Sequence, residues 1–136
     1  MTKVLLDTIA FYFLMSDIAQ IPRTAEGIIT DVKTKLFLSI VSVWELSIQV
    51  AQGKIAFAKP FQEAISDNLA KYDIEIVDIS LEDTHVQALM PFLTIHGNVH
   101  KDPFDRLIVA QAIGRNLLLC SSDKKLPFYP VSVLWE

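Results

Sequence analysis

Thr2-Lys3-Val4-Leu5-Leu6-Asp7-Thr8 opens the chain with a short apolar run that stops at an acid. Val4, Leu5 and Leu6 are apolar in succession rather than alternately, the pattern of a central strand buried on both faces of a parallel sheet. Thr8 to Met15 is strongly apolar and predicts a helix starting where the strand ends. Pro22 to Val32 reads as a second helix with Pro22 near N1, and Lys35 to Ser39 as a second strand. Ser42 to Gln52 predicts a helix stopped by Gly53 at C′. Pro60 starts another helix running to about Tyr72, followed by the strand Glu75 to Asp78. Ser80-Leu81-Glu82-Asp83 has N-cap chemistry and leads a helix to Met90.

Pro91 to Lys101 is the one long loop. Asp102 then caps a helix to Arg115, Leu117 to Cys120 is a strand, and Val131 to Leu134 is a short final one. Strands and helices alternate with no Gly-rich phosphate loop, internal repeat, low-complexity tract or linker. The pattern predicts an α/β fold, a three-layer α/β/α sandwich with a mostly parallel central sheet. The 136 residues form a single domain, 1–136, large enough for a continuous core.

Composition narrows the function classes. The apolar fraction is 51% and the mean hydropathy +0.37, so the aromatics and aliphatics fill a core or cover a partner surface. No segment reaches the roughly 18 apolar residues that span a bilayer, which argues against a membrane protein. Asp7 interrupts the one stretch that resembles a signal peptide. A single cysteine excludes an internal disulfide and fits a reducing cytoplasm; Cys120, in an apolar run, reads as a buried structural thiol. The chain has 16 acids and 12 bases. Setting aside four acids for a metal site leaves equal numbers, so the acidity is weak evidence against a nucleic-acid substrate.

Those four acids are Asp7, Glu45, Asp105 and Asp123. Each falls where an element begins or ends, and in an α/β sheet such places gather in the crevice outside the carboxyl ends of the strands. Carboxylates crowded there repel unless something positive sits among them, and hard divalent cations take oxygen ligands. Each acid alone also has a plain structural role. Asp7 or Thr8 caps the following helix. Ser42-Val43-Trp44-Glu45 fits a capping box in which Glu45 bonds back to the Ser42 amide. In Asp102-Pro103-Phe104-Asp105, Asp102 caps and Pro103 takes N1, so Asp105 is not needed for capping. Asp123 serves equally as a turn acid.

The combination is more specific. Leu5-Leu6-Asp7-Thr8, Leu38-Ser39-Ile40-Val41-Ser42-Val43-Trp44-Glu45-Leu46 and His100-Lys101-Asp102-Pro103-Phe104-Asp105-Arg106-Leu107-Ile108-Val109-Ala110-Gln111-Ala112 together resemble the PIN-domain family. The likeness is to the VapC-like toxin ribonucleases of type II toxin–antitoxin modules. Ser121-Ser122-Asp123 supplies a fourth segment and Val131-Ser132-Val133-Leu134-Trp135 resembles the family's terminal strand. The likeness thus runs from Leu5 to Trp135. One departure is Ile9, where close relatives often carry histidine.

The resemblance implies a metal-dependent endoribonuclease, the toxin of a toxin–antitoxin pair. Asp7, Glu45, Asp105 and Asp123 would be both the catalytic residues and the holders of one or two Mg²⁺ or Mn²⁺ ions. Water would attack phosphorus in line, leaving 5′-phosphate and 3′-hydroxyl ends. Ser42 would orient a carboxylate, or is a plain N-cap. Asp102 helps position its turn, and Arg106 pairs with an acid or touches a phosphate. Lys101, Lys124 and Lys125 flank the site and would attract an RNA backbone. His96 and His100 form an H-x3-H pair with no third zinc ligand nearby, and His100 reads as a surface residue or a substrate contact. Surplus apolar residues near the early helices, together with the resemblance, imply a homodimer and a groove for a cognate antitoxin protein. Two readings compete: a non-catalytic PIN-like module that binds RNA or protein, and a different α/β enzyme using Asp7 as nucleophile.

Overall fold

A computed structural model describes residues 1–136. The chain runs β1 (Thr2–Leu6), α1 (Thr8–Ser16), α2 (Arg23–Ile29), β2 (Thr34–Ser39), α3 (Ile40–Ala51), α4 (Phe61–Lys71) and β3 (Ile74–Val77). It continues with α5 (Leu81–Leu89), a small hairpin β4 (Thr94–Ile95) and β5 (Asn98–Val99), α6 (Pro103–Arg115), β6 (Leu118–Cys120) and β7 (Val133–Leu134). Five strands form one sheet in the order β3-β2-β1-β6-β7, every pair parallel. The hairpin strands pair only with each other.

β1 shows why the sheet is a middle layer. Val4 and Leu6 point into one core with Ala10, Phe11 and Leu14 of α1, Ala25 and Ile29 of α2, Leu46 of α3 and Ile65 of α4. Leu5 points into the other, with Ile108, Val109 and Ala112 of α6. All three strand residues are fully buried, as a strand apolar on both faces requires. The sandwich is therefore the predicted one, and its sheet is wholly parallel. No helix is long and apolar enough to cross a membrane.

Most predicted elements lie within a residue or two of their observed bounds, and three differ for physical reasons. α2 ends at Ile29, because Thr30 Oγ1 turns back to the Glu26 carbonyl (2.7 Å) and Asp31 accepts from the Lys33 amide (2.8 Å). Such local bonds draw the backbone out of the helix. α3 begins at Ile40, its cap three residues earlier than expected: Ser39 is the N-cap, its hydroxyl accepting from the Val41 amide (3.1 Å). The expected loop from Pro91 to Lys101 holds the β4–β5 hairpin, turned by His96 (φ 52°) and Gly97 (φ 82°). Two successive positive φ values are what a two-residue hairpin turn demands.

The aromatics near the early helices pack mostly on one another. Phe11 is core, Tyr12 stacks on Phe57 and Phe57 on Phe61, and Phe13 meets Trp135. Ile9 remains exposed.

Candidate functional site

The chain leaves β1 toward β2 and β3, then returns on the other side of β1 as β6 and β7. The reversal lies between β1 and β6, and the crevice at their carboxyl ends is where open α/β sheets bind ligands. Asp7 is the first residue past β1, and its amide donates to the Cys120 carbonyl (3.0 Å), carrying the ladder one step further. Because Leu6 pairs with Cys120, the next pair is Asp7 and Ser121.

Asp7 caps α1, its Oδ1 accepting from the Ala10 amide at 2.8 Å. It is only 8% exposed. Burial raises its carboxyl from 3.8 to about 6; Ser121 and the Ala10 amide pull it back, while the charges of Asp105 and Asp123 push it up further. Asp105 is raised to about 6 in the same way, first by burial and then by Asp102 and Asp123, with His100 acting against them. Asp123 sits in a tight turn, its amide donating to Ser121 Oγ (3.0 Å) and its Oδ1 accepting from the Lys125 amide (2.9 Å). Three of the four predicted acids therefore act on one another through space. Their like charges are not cancelled by a neighbouring arginine or lysine.

Glu45 is the fourth, carried by α3. It is half-buried in the second turn of that helix. The capping box expected of Ser42 and Glu45 does not form, because α3 starts earlier. Ser42 is instead a fully buried residue of the first turn, accepting a hydrogen bond from Thr8 Oγ1 at 3.0 Å. That bond ties α3 to the residue after Asp7, and Glu45 lies three residues on, along the same helix face. A second tie is the edge-on contact between Trp44 and Phe104, ring centroids 5.1 Å apart. Each of these aromatics immediately precedes an acid, Glu45 and Asp105.

Asp102 caps α6 as predicted, its Oδ1 accepting from the amides of Phe104 (2.9 Å) and Asp105 (3.1 Å). Arg106 does not do what was expected of it. Its guanidinium is buried and donates to the carbonyls of Pro91 and Met90 (3.0 Å each) at the end of α5, with Phe92 under its plane at 4.2 Å. The reason is the helix end: carbonyls left unpaired there need a donor, and one planar fork satisfies two. His100 is also corrected. It is buried, with Nδ1 2.6 Å from the Tyr129 hydroxyl and Nε2 3.2 Å from Asp105 Oδ2. Lys124 lies with Ser121, Ser122 and Asp123 in an open cleft of about 560 Å³. Lys101 and Lys125 line a second hollow with His100.

The sequence model of the PIN domain matches residues 4–131, nearly the whole chain. The chain belongs to the PIN domain family. No curated protein sequence matches it, but solved structures do. A chain of the VapBC2 complex of Rickettsia felis, bound to a DNA fragment from its promoter, superposes with a TM-score of 0.73 at 18% identity. The match covers 99% of this chain and 100% of that one. DNA-bound VapBC from Salmonella typhimurium gives 0.68 at 15% identity, covering 98% of each chain. VapBC-5 from Mycobacterium tuberculosis gives 0.63 at 19%, covering 98% of this chain and 97% of that one. At these identities the likeness is one of fold.

In this PIN domain the residues that sequence reasoning underrated are Ser121 and His100. Ser121 was visible only as part of a polar turn; the strand pairing sets it beside Asp7. His100 stands five residues before Asp105 in the quoted motif, but its burial depends on Tyr129, 29 residues away. The donor set of the crevice is carboxylate oxygen, which suits hard divalent ions. No three acidic, histidine or cysteine side chains stand close enough together to share one ion as they are. Carboxylate oxygens alone would suit a hard divalent ion held by one or two of them with water completing its shell. Cys120 takes no part: burial, and then Asp7, push its thiol up to about 12.

Proposed function

We propose that this PIN domain is a metal-dependent endoribonuclease, the toxin of a toxin–antitoxin pair, that hydrolyses RNA phosphodiester bonds. The observation that carries the reading is the uncompensated carboxylate group of Asp7, Asp105 and Asp123 at the switch point of the sheet. Left alone, such a group repels both itself and a phosphate. With a divalent cation among them the same acids become a phosphate site.

Asp7, fixed by its strand end and by the Ala10 amide, is the central ligand, with Asp105 facing it from the first turn of α6. Asp123, at the mouth of the open cleft, is placed to position an attacking water or the substrate's phosphate oxygens. Glu45 comes from α3 and completes the four. Bound Mg²⁺ or Mn²⁺ would lower the pKa of a water for in-line attack and stabilise the developing charge on phosphorus. Lys101, Lys124 and Lys125 on the rim draw in the RNA backbone through charge rather than shape. Asp102 and Ser42 act through others, by holding the first turn of α6 and the spacing of α3 from α1.

The fold shared with VapBC proteins supports a protein partner, a cognate antitoxin. An arginine or lysine from such a partner, set among the acids, would neutralise them and exclude the cation. The exposed Ile9 and the early helices are the surface we assign to a homodimer contact. The cytoplasm is the compartment where RNA and reduced Cys120 coexist.

The test is cleavage of a pool of structured and unstructured RNAs by the purified protein with Mg²⁺ or Mn²⁺, and with EDTA. Cuts that need metal and vanish in both Asp7→Asn and Asp105→Asn support the proposal. Absence of cleavage together with absence of saturable Mn²⁺ binding would sink it and leave a non-catalytic binding module.

A further inference from the structure

The pair His100 and Tyr129 is unusual for what it spends. Both side chains are buried, at 6% and 3% exposure, and both direct their polar atoms along one line that ends on Asp105. Neither is needed to start α6, because Asp102 already caps it. A leucine and a phenylalanine would pack the same space without the cost of burying an imidazole and a hydroxyl. The hydrogens can be placed by elimination. An ionised carboxylate only accepts, so the nitrogen facing Asp105 Oδ2, Nε2, carries the hydrogen. Nδ1 of a neutral ring is then an acceptor, and the Tyr129 hydroxyl is the donor that meets it.

We propose that His100, braced at Nδ1 by Tyr129, is the positioning residue that holds one oxygen of Asp105 and so aims the other into the crevice. The proposal rests on the nuclease reading above and deepens it. Oδ2 is held from the side by a donor on a rigid base. The Asp105 backbone is pinned by Asp102 from below. The remaining oxygen, Oδ1, is left for an ion or for water. A carboxylate fixed this way reaches its working orientation before any ligand arrives, which is what a partner behind a metal ligand contributes. His100 also bonds through its amide to the Leu93 carbonyl at 2.8 Å, so a purely structural role, anchoring the β4–β5 hairpin, is the rival. The two roles separate at Tyr129, whose hydroxyl touches the ring and not the hairpin backbone.

The experiment combines three substitutions with two readouts that do not need turnover. Long-range ¹H–¹⁵N correlation spectra of metal-free protein at pH 8 read the His100 tautomer. The native protein should show a protonated Nε2 and an Nδ1 signal shifted by its hydrogen bond from Tyr129, and Tyr129→Phe should lose that shift while keeping the ring packing. Mn²⁺ titration should show binding weakened about 10- to 100-fold in Tyr129→Phe and His100→Leu. His100→Gln, whose amide nitrogen can take the place of Nε2, should return affinity toward the native value. In RNA cleavage the loss should fall on kcat, with KM for RNA unchanged. A native Nδ1–H tautomer would overturn the proposal. So would unaltered Mn²⁺ affinity in folded Tyr129→Phe and His100→Leu proteins, which would leave His100 as a hairpin anchor. Native protein that binds no Mn²⁺ would instead remove the nuclease reading, while the tautomer still decides whether Tyr129 and His100 hold Asp105.

Discussion

Asp7 and Asp83 are both buried carboxylates in the first turn of a helix or at its cap, and the protein treats them in opposite ways. Asp83, 2% exposed, completes a capping box with Ser80 and bonds to Gln111 Nε2 (3.1 Å) and to both arms of the Arg115 guanidinium. Burial would raise its carboxyl, but Arg115, the Ser80 amide and Gln111 outweigh that and hold it below the usual range. Asp7, driven up to about 6 chiefly by its own burial, meets the like charges of Asp105 and Asp123 instead of a cation. One fold therefore neutralises a buried acid where α5 meets α6 and leaves another without a cation at the carboxyl edge of the sheet. The contrast marks the second as the place where stability has been given up for chemistry.

The largest expected effect is on activity. Asp7→Asn should cut RNA cleavage by at least about 10³-fold, yet raise the thermal stability of metal-free protein near pH 7. The amide still accepts from Ala10 and no longer carries a buried charge. If that variant were less stable than the native protein, the contrast with Asp83 would break. The converse change, Asp83→Ala, should cost about 3 kcal/mol in urea unfolding, toward the low end for a buried pair because Arg115 reaches water. The cleavage rate of the folded variant should be unchanged.

Titration should separate the two regions by sign. A carboxyl at 3.8 unfolded and about 6 folded contributes stability that is complete below about pH 4 and is lost as pH rises through 6. For Asp7 alone the difference is on the order of 3 kcal/mol. Asp83, lowered, works the other way: its contribution holds above its unfolded value and is lost on acidification. Denaturation of metal-free native protein from pH 4 to 8 should therefore show falling stability, and Asp7→Asn should flatten the curve. Added Mg²⁺ should stabilise the native protein more at pH 7 than at pH 5. A native profile that rises over this range would contradict the assignment.

Two smaller effects sharpen the boundary of the site. Arg106→Ala should cost about 2 kcal/mol, since the Met90 and Pro91 carbonyls lose their donor, without weakening Mn²⁺ binding. A loss of Mn²⁺ or RNA affinity beyond the loss of stability would return Arg106 to the site. Ser42→Ala removes one bond from Thr8 and should cost about 1 kcal/mol, with a modest fall in cleavage as α3 loosens against α1.

How much of this was legible in the chain depends on the range of the interaction. The strand Val4-Leu5-Leu6 and the caps at Ser80 and Asp102 are local patterns, and each is found where it was read. Ser39 and Ser42 both satisfy cap chemistry, so the sequence had no means of choosing; the length of β2 chose Ser39. The β4–β5 hairpin was too short to leave a period. Arg106 looked like a site residue because it follows Asp105, but its partners are carbonyls 15 and 16 residues back. His100 looked exposed because its partner Tyr129 comes 29 residues later.

The sequence by itself determined the alternation of strands and helices and the placing of acids at element ends, because helix and strand periods and caps act over a few residues. Only the tertiary structure decided that Asp7, Asp105 and Asp123 share a field, and that Asp83 has its cation while Asp7 has none. Charge interactions and hydrogen bonds depend on distance through space. That distance is set by the order β3-β2-β1-β6-β7, which no local pattern encodes.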